Sequence, residues 1–246
     1  METNNRKKKY GMTREQERAA SRLLGRHVST AKALTLLIAA LLCCASPMLL
    51  GLRLWEEIPP VVQTGLLGAE GLDDSMPRAV LVFGVPGLFC LLCTICHAQF
   101  WLHQRAETLP PTPVRLLGRW GLPVLSVLLC PLWMRSAAGR ETGLRELAPC
   151  ALALLLLLSG AHFFDCPRES KLAFHLRCIE YKAAAWRKTH RAAALSWMAA
   201  ALLLLAVCFG AGRLGVLSAA ATLLLLLLPL PAAFFFAARE AAQEKP

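Results

Sequence analysis

Six long runs of apolar residues constrain this chain more than any other feature in it. They cover about 33–52, 79–102, 116–134, 147–164, 192–211 and 214–236, and leucine and alanine dominate them. A helix of about 20 apolar residues spans the hydrocarbon core of a bilayer, about 30 Å thick. Helices are the natural conformation there, because each backbone polar group finds its partner within its own segment when water is absent. A soluble core does not account for the composition, since 56% of the 246 residues are apolar and only 17% are charged. The expected fold is all-α, a polytopic membrane helical bundle of about six transmembrane helices.

Individual residues refine these spans. Gly84, Pro86 and Gly87 are placed to bend the second, and Arg119, Pro123 and Pro131 interrupt the third. Gly210, Gly212, Arg213 and Gly215 break the last apolar stretch into a tight hairpin. The first span follows a basic segment as a signal peptide would, yet it is too long for a usual signal core and lacks a small-x-small site. It reads as an uncleaved anchor.

The charges set the expected orientation. Residues 1–32 form a basic tail with nine Lys and Arg, the connection before the third span holds three, the interval 163–191 holds seven and the C-terminal tail two. The alternate connections hold only Arg53, Arg78, Arg135, Arg140, Arg145 and Arg213. Because cationic connections stay in the cytoplasm, both termini are expected there, in the plasma membrane. The net charge of +11 is thereby assigned to topology and anionic lipid, with no direct binding of nucleic acid. The chain divides into an N-terminal membrane half, 33–134, and a C-terminal half, 135–246. The first half carries an outer loop at 53–78, made acidic by Glu56, Glu57, Glu70, Asp73 and Asp74.

Clusters that could carry chemistry are few. Cys93-Thr94-Ile95-Cys96-His97 has the spacing of c-type haem attachment, but the expected topology puts it near the cytoplasmic end, the wrong side for that chemistry. Cys90, Cys93, Cys96 and His97 share one helix face, where packing cysteines are the plainer reading than a soft-metal site. Glu70, Asp73 and Asp74 read as a solvated acidic loop. His162, Asp165 and Cys166 bring a thiol near a base, but without a nucleophile elbow. No catalytic residue, metal or cofactor is expected, and none of the assigned spans has an Asp or Glu at its middle for a proton relay. Between spans four and five, at 165–191, Leu172, Leu176, Ile179, Ala183, Trp186 and His190 recur at spacings of four and three. That pattern predicts a cytoplasmic amphipathic helix on the inner membrane surface, with Arg177, Lys182, Arg187 and Lys188 off its apolar stripe.

Trp186-Arg187-Lys188-Thr189-His190-Arg191, followed by small residues and a span, resembles the C-terminal signature of the SdpI immunity family of bacterial membrane proteins. Arg177 matches that family's upstream arginine, although its usual Gly-Ile-Arg-Thr-Pro context is absent here. Trp55, Pro59, Gly68, Gly71 and Pro77 resemble a domain of unknown function often joined to the family's N-terminal side, without the histidine that domain usually carries. The resemblance implies immunity to a secreted antimicrobial peptide, or membrane signal transduction. It implies a peptide toxin as partner outside and a cytoplasmic repressor inside, and no catalysis. A small transporter or permease accessory protein is the alternative that the spans leave open.

Overall fold

The computed structural model describes residues 30–63, 75–105, 112–141, 143–164, 166, 170, 173–213 and 215–243. It is mostly helical. Among the described residues, five segments are long and apolar enough to cross a membrane: Thr30–Arg53, Val80–Leu102, Leu117–Ala137, Ala183–Ala211 and Val216–Gln243. The run expected as the fourth span is a shorter apolar helix, Leu147–Phe163.

The first segment is two helices, α1 (Thr30–Ala45) and α2 (Pro47–Arg53), with Ser46 between them. Pro47 has no N–H to continue the ladder, so the helix breaks there. The Ser46 hydroxyl donates to the Cys43 carbonyl at 2.8 Å, which keeps a polar group satisfied at the break. The chain then forms a small antiparallel ribbon of β1 (Val61–Gln63) and β2 (Ser75–Pro77), with Val62 opposite Met76. Arg78 pins the base of this ribbon. Its guanidinium donates to the Trp55 carbonyl at 2.8 Å and lies 4.4 Å from the centre of the Trp55 ring.

A widened turn, Val80–Gly84, opens α3 (Val85–Arg105), and α4 (Thr112–Ala137) follows. Pro86 lacks the N–H that would close the helical turn before it, which favours the wider π spacing there. Helices α1, α3 and α4 pack on one another. Their shared core is small and rich in sulfur, with Ala40, Cys43, Cys44, Cys93, Val127 and Cys130 all buried. The Ser126 hydroxyl donates to the Cys44 carbonyl at 2.7 Å, tying α4 to α1. All ten cysteines are unpaired thiols.

The second half contains α5 (Leu144–Phe163), a single turn α6 (Arg177–Glu180), α7 (Ala183–Ala206) with a widened end Val207–Ala211, α8 (Val216–Leu227) and α9 (Pro229–Gln243). Helix α5 packs most extensively on α7. Gly160 makes this approach possible: a Cβ there would lie 2.7 Å from Met198 Cγ and 2.9 Å from the Ala194 carbonyl oxygen. Ala193, Ala194, Ala200 and Ala201 of α7 are fully buried, as expected where backbones meet closely in a membrane bundle.

The chain reverses at Gly212, whose φ of 74° suits a residue without a Cβ. The Arg53 guanidinium lies against this glycine, where a methyl group would overlap it. At the same end, Arg140 and Glu57 form a two-bonded ion pair at 2.6 and 2.7 Å. The connections expected to lie outside are therefore gathered at one end of the bundle. The opposite end holds the start of α1, the end of α3, the end of α5, the start of α7 and the end of α9.

The expected amphipathic helix does not form as one piece. Its stripe is broken at Tyr181 and Lys182, and the long helix already begins at Ala183, nine residues before the expected span. Ile179, Trp186 and His190 are buried against protein, so the stripe does not lie on a lipid surface. Leu172 lies outside the described residues.

Candidate functional site

The densest collection of polar and aromatic groups sits where α5 ends and α7 begins. Lys182, in extended conformation, precedes α7 without a side-chain cap of its own. The first N–H groups of a helix lack intrahelical partners and carry partial positive charge. Here a distant residue supplies the acceptor. The Glu240 carboxylate, near the end of α9, accepts the N–H of Ala184 at 3.4 Å and that of Ala185. In return, the Lys182 ammonium donates to the Ala237 carbonyl at 2.8 Å.

One turn later, α7 presents Trp186 and His190 at a spacing of four, on the same face. Their ring centres are 4.2 Å apart at a tilt of 30°. Phe163, Phe174 and Trp197 complete a box around them. Phe163 lies 4.8 Å from Phe174, 5.1 Å from Trp197 and 6.0 Å from His190, while Phe174 lies 5.9 Å from His190. Such pairs contribute about 0.5–1.5 kcal/mol each beyond the area they bury.

Hydrogen bonds fix the imidazole. The backbone N–H of Phe174 donates to His190 Nε2 at 3.2 Å, and His190 Nδ1 lies 3.0 Å from the Trp186 carbonyl. A neutral ring with its proton on Nδ1 satisfies both contacts, since Nε2 must accept and a carbonyl can only accept. The Trp186 indole N–H donates to the Cys166 carbonyl at 3.2 Å, so the ring clamps the connection that follows α5. His162 Nε2 lies 3.2 Å from the Ser170 hydroxyl and 3.6 Å from the Cys166 thiol. Burial nevertheless pushes the Cys166 thiol up, and the Ser170 hydroxyl offsets that only in part. A protonated thiol is a poor nucleophile, so this pair is not an activated one.

The residues singled out from sequence divide between the two ends of the bundle. Trp186, Thr189 and His190 come together and are buried, with no hydrogen-bond partner for the Thr189 hydroxyl among the described residues. Arg177 and Arg191 are exposed. Trp55 lies at the opposite end under Arg78, and Pro59 is exposed just before the ribbon. Gly68 lies outside the described residues, as do Glu70, Asp73, Asp74 and Asp165. Phe163, Phe174, Trp197, Lys182 and Glu240 were not visible as site residues in the sequence. Only Trp197 could have been found, because it continues the Trp186–His190 face by seven residues.

In the first half, His97 Nδ1 lies 3.1 Å from the Cys93 carbonyl and 3.6 Å from its thiol. Among the described residues no three His, Cys, Asp or Glu side chains gather as a metal-binding group. His97 also lines an apolar cavity of about 250 Å³, together with Leu34, Leu37, Trp101 and Arg119.

No protein family, curated protein or solved structure matches this chain.

Proposed function

We propose that this chain is a six-span protein of the bacterial cytoplasmic membrane, SdpI-like, that works without catalysis in immunity to a secreted antimicrobial peptide or in membrane signalling. The carrying observation is α7. One of its ends packs on α2, with Arg53 against the turn at Gly212, and the other forms the Trp186–His190 box clamped by Glu240. A rigid helix with a fitted contact at each end is a reasonable link between an outer loop and an inner docking surface.

In this reading α5 is the sixth crossing. Its 20 residues reach about 30 Å as a helix, and its packing on α7 keeps it upright. The end bearing the box faces the cytoplasm, because the connections there carry most of the Lys and Arg. An outer peptide engages the loop at 53–78, and the shift is carried along α7 to a partner inside. The apolar interior supports this over the transport alternative: among the described residues, no Asp, Glu, Lys or Arg is fully buried.

Deleting the gene and challenging the cells with secreted peptides from neighbouring genes and strains tests the reading. Sensitivity is expected to rise for at least one peptide. Unchanged sensitivity to all of them, together with solute uptake by proteoliposomes holding the purified protein, would establish the transport alternative instead.

A further inference from the structure

Helix α9 is attached to the rest of the molecule in an uneven way. It starts at Pro229 directly after a break at Leu228, and Pro231 follows. Neither proline has an N–H, so the carbonyls of Leu225 and Leu227 lose the donors a continuous helix would give them. The junction with α8 is therefore weakened at its hydrogen-bond ladder. Beyond it, α9 buries only Pro229, Ala233 and Ala237, a stripe at four-residue spacing made of small side chains. Leu230, Phe234 and Phe235 on its other faces are exposed. Small residues bury little area, so the apolar contribution to holding α9 in place is modest.

The far end is held differently. There Lys182 donates to the Ala237 carbonyl, and Glu240 accepts from the first amides of α7. Lys188 adds its ammonium 6.0 Å from the Phe236 ring. The segment Val216–Gln243 has 28 residues, about 42 Å of helix, which exceeds the hydrocarbon thickness by about 12 Å. The polar contacts thus sit at an end long enough to leave the hydrocarbon, where water can compete for them.

We infer that α9 is a hinged arm, weak at Leu228–Pro231 and latched shut on the start of α7 by Lys182 and Glu240. The latch closes over the same box discussed above. Ile179, Ala185 and Trp186 form one apolar cluster with Ala233 and Ala237, and Phe236 packs against it. Opening the arm uncovers Trp186 and Ile179 and frees the first amides of α7. The inference stands on the geometry of α9 and holds whether or not the protein confers immunity.

Hydrogen exchange on the full chain in lipid nanodiscs tests it, comparing wild type with Glu240→Gln and Glu240→Lys. Exchange in peptides covering 229–243 is expected to rise about tenfold or more in Glu240→Lys, and less in Glu240→Gln, with α5 and the second half of α7 unchanged. Because each charge meets backbone groups rather than the other charge, the swap Lys182→Glu with Glu240→Lys is expected to be as open as the single variant. Exchange in 229–243 that stays at the wild-type level would overturn the latch, and so would rescue by the swap. An equal rise across α5 and α7 would also overturn it, since Glu240 would then support the whole fold. A latch seen by exchange, together with peptide sensitivity that is unchanged when the gene is deleted, would count against the proposed function alone.

Discussion

Helix α7 and the segment Val216–Gln243, which holds α8 and α9, are almost equally apolar, yet they live in different surroundings. Half of the most apolar stretch of α7 is buried against protein, compared with 11% for that of Val216–Gln243. Hydrophobicity does not separate them, because lipid solvates leucine as well as a protein interior does. Small side chains do. Helix α7 offers Ala193, Ala194, Ala200 and Ala201 to its neighbours, whereas α8 ends in five leucines and turns large side chains outward, with Leu217 88% exposed and Leu224 68% exposed. Apolar content suits both segments to a bilayer, and the small residues of α7 let a neighbouring helix approach its backbone closely.

This comparison can be broken most directly at Gly160. Gly160→Leu places a side chain against the Ala194 carbonyl, a backbone atom that cannot turn aside, and is expected to cost about 3 kcal/mol or more. Folded yield and melting in detergent should both collapse. The matched change Gly210→Ala meets no atom within 4 Å and should leave melting unchanged. Next in size is His190→Phe, which keeps a ring in the box but leaves the Phe174 N–H without its acceptor, a loss of about 2 kcal/mol. Gly212→Ala forces a side chain into a left-handed turn against Arg53, and a cost of about 1–2 kcal/mol should appear as a lower melting temperature. Arg140→Ala removes an exposed ion pair and should cost less than about 1 kcal/mol in the same assay. Leu224→Ala on α8 should move melting least, within about 0.5 kcal/mol. An effect as large as that of Gly160→Leu there would show that α8 is buried by a partner, and the contrast with α7 would disappear.

The apolar runs were legible because burial in lipid needs nothing beyond composition and length. The reversal at Gly212 was legible for a similar reason, since glycine clusters interrupt a helix locally. The start of α7 was not. Arg187, Lys188 and Arg191 lower the apolar score of 183–191 and suggest a connector, although all three are exposed and Ala183, Ala184 and Ala185 favour helix. The break at Tyr181 was also hidden, because the four-and-three spacing continues through it. What decides the break is Glu240, 55 residues from Ala185, and a pairing at that distance leaves no periodic trace. The imidazole site was half visible: Trp186 and His190 share a face by spacing, but Phe163 and Phe174 reach it from other parts of the chain. The ribbon at Val61–Gln63 and Ser75–Pro77 is too short to show alternation among prolines and glycines.

The account rests on α7 crossing the bilayer, with the box in the cytoplasm and the Gly212 turn outside. Alkaline phosphatase and green fluorescent protein fused in turn after Lys188 and after Arg213 read this directly. Fluorescence without phosphatase activity at Lys188, and the reverse at Arg213, is the predicted result. Phosphatase activity at Lys188, or the same signal at both positions, would contradict it.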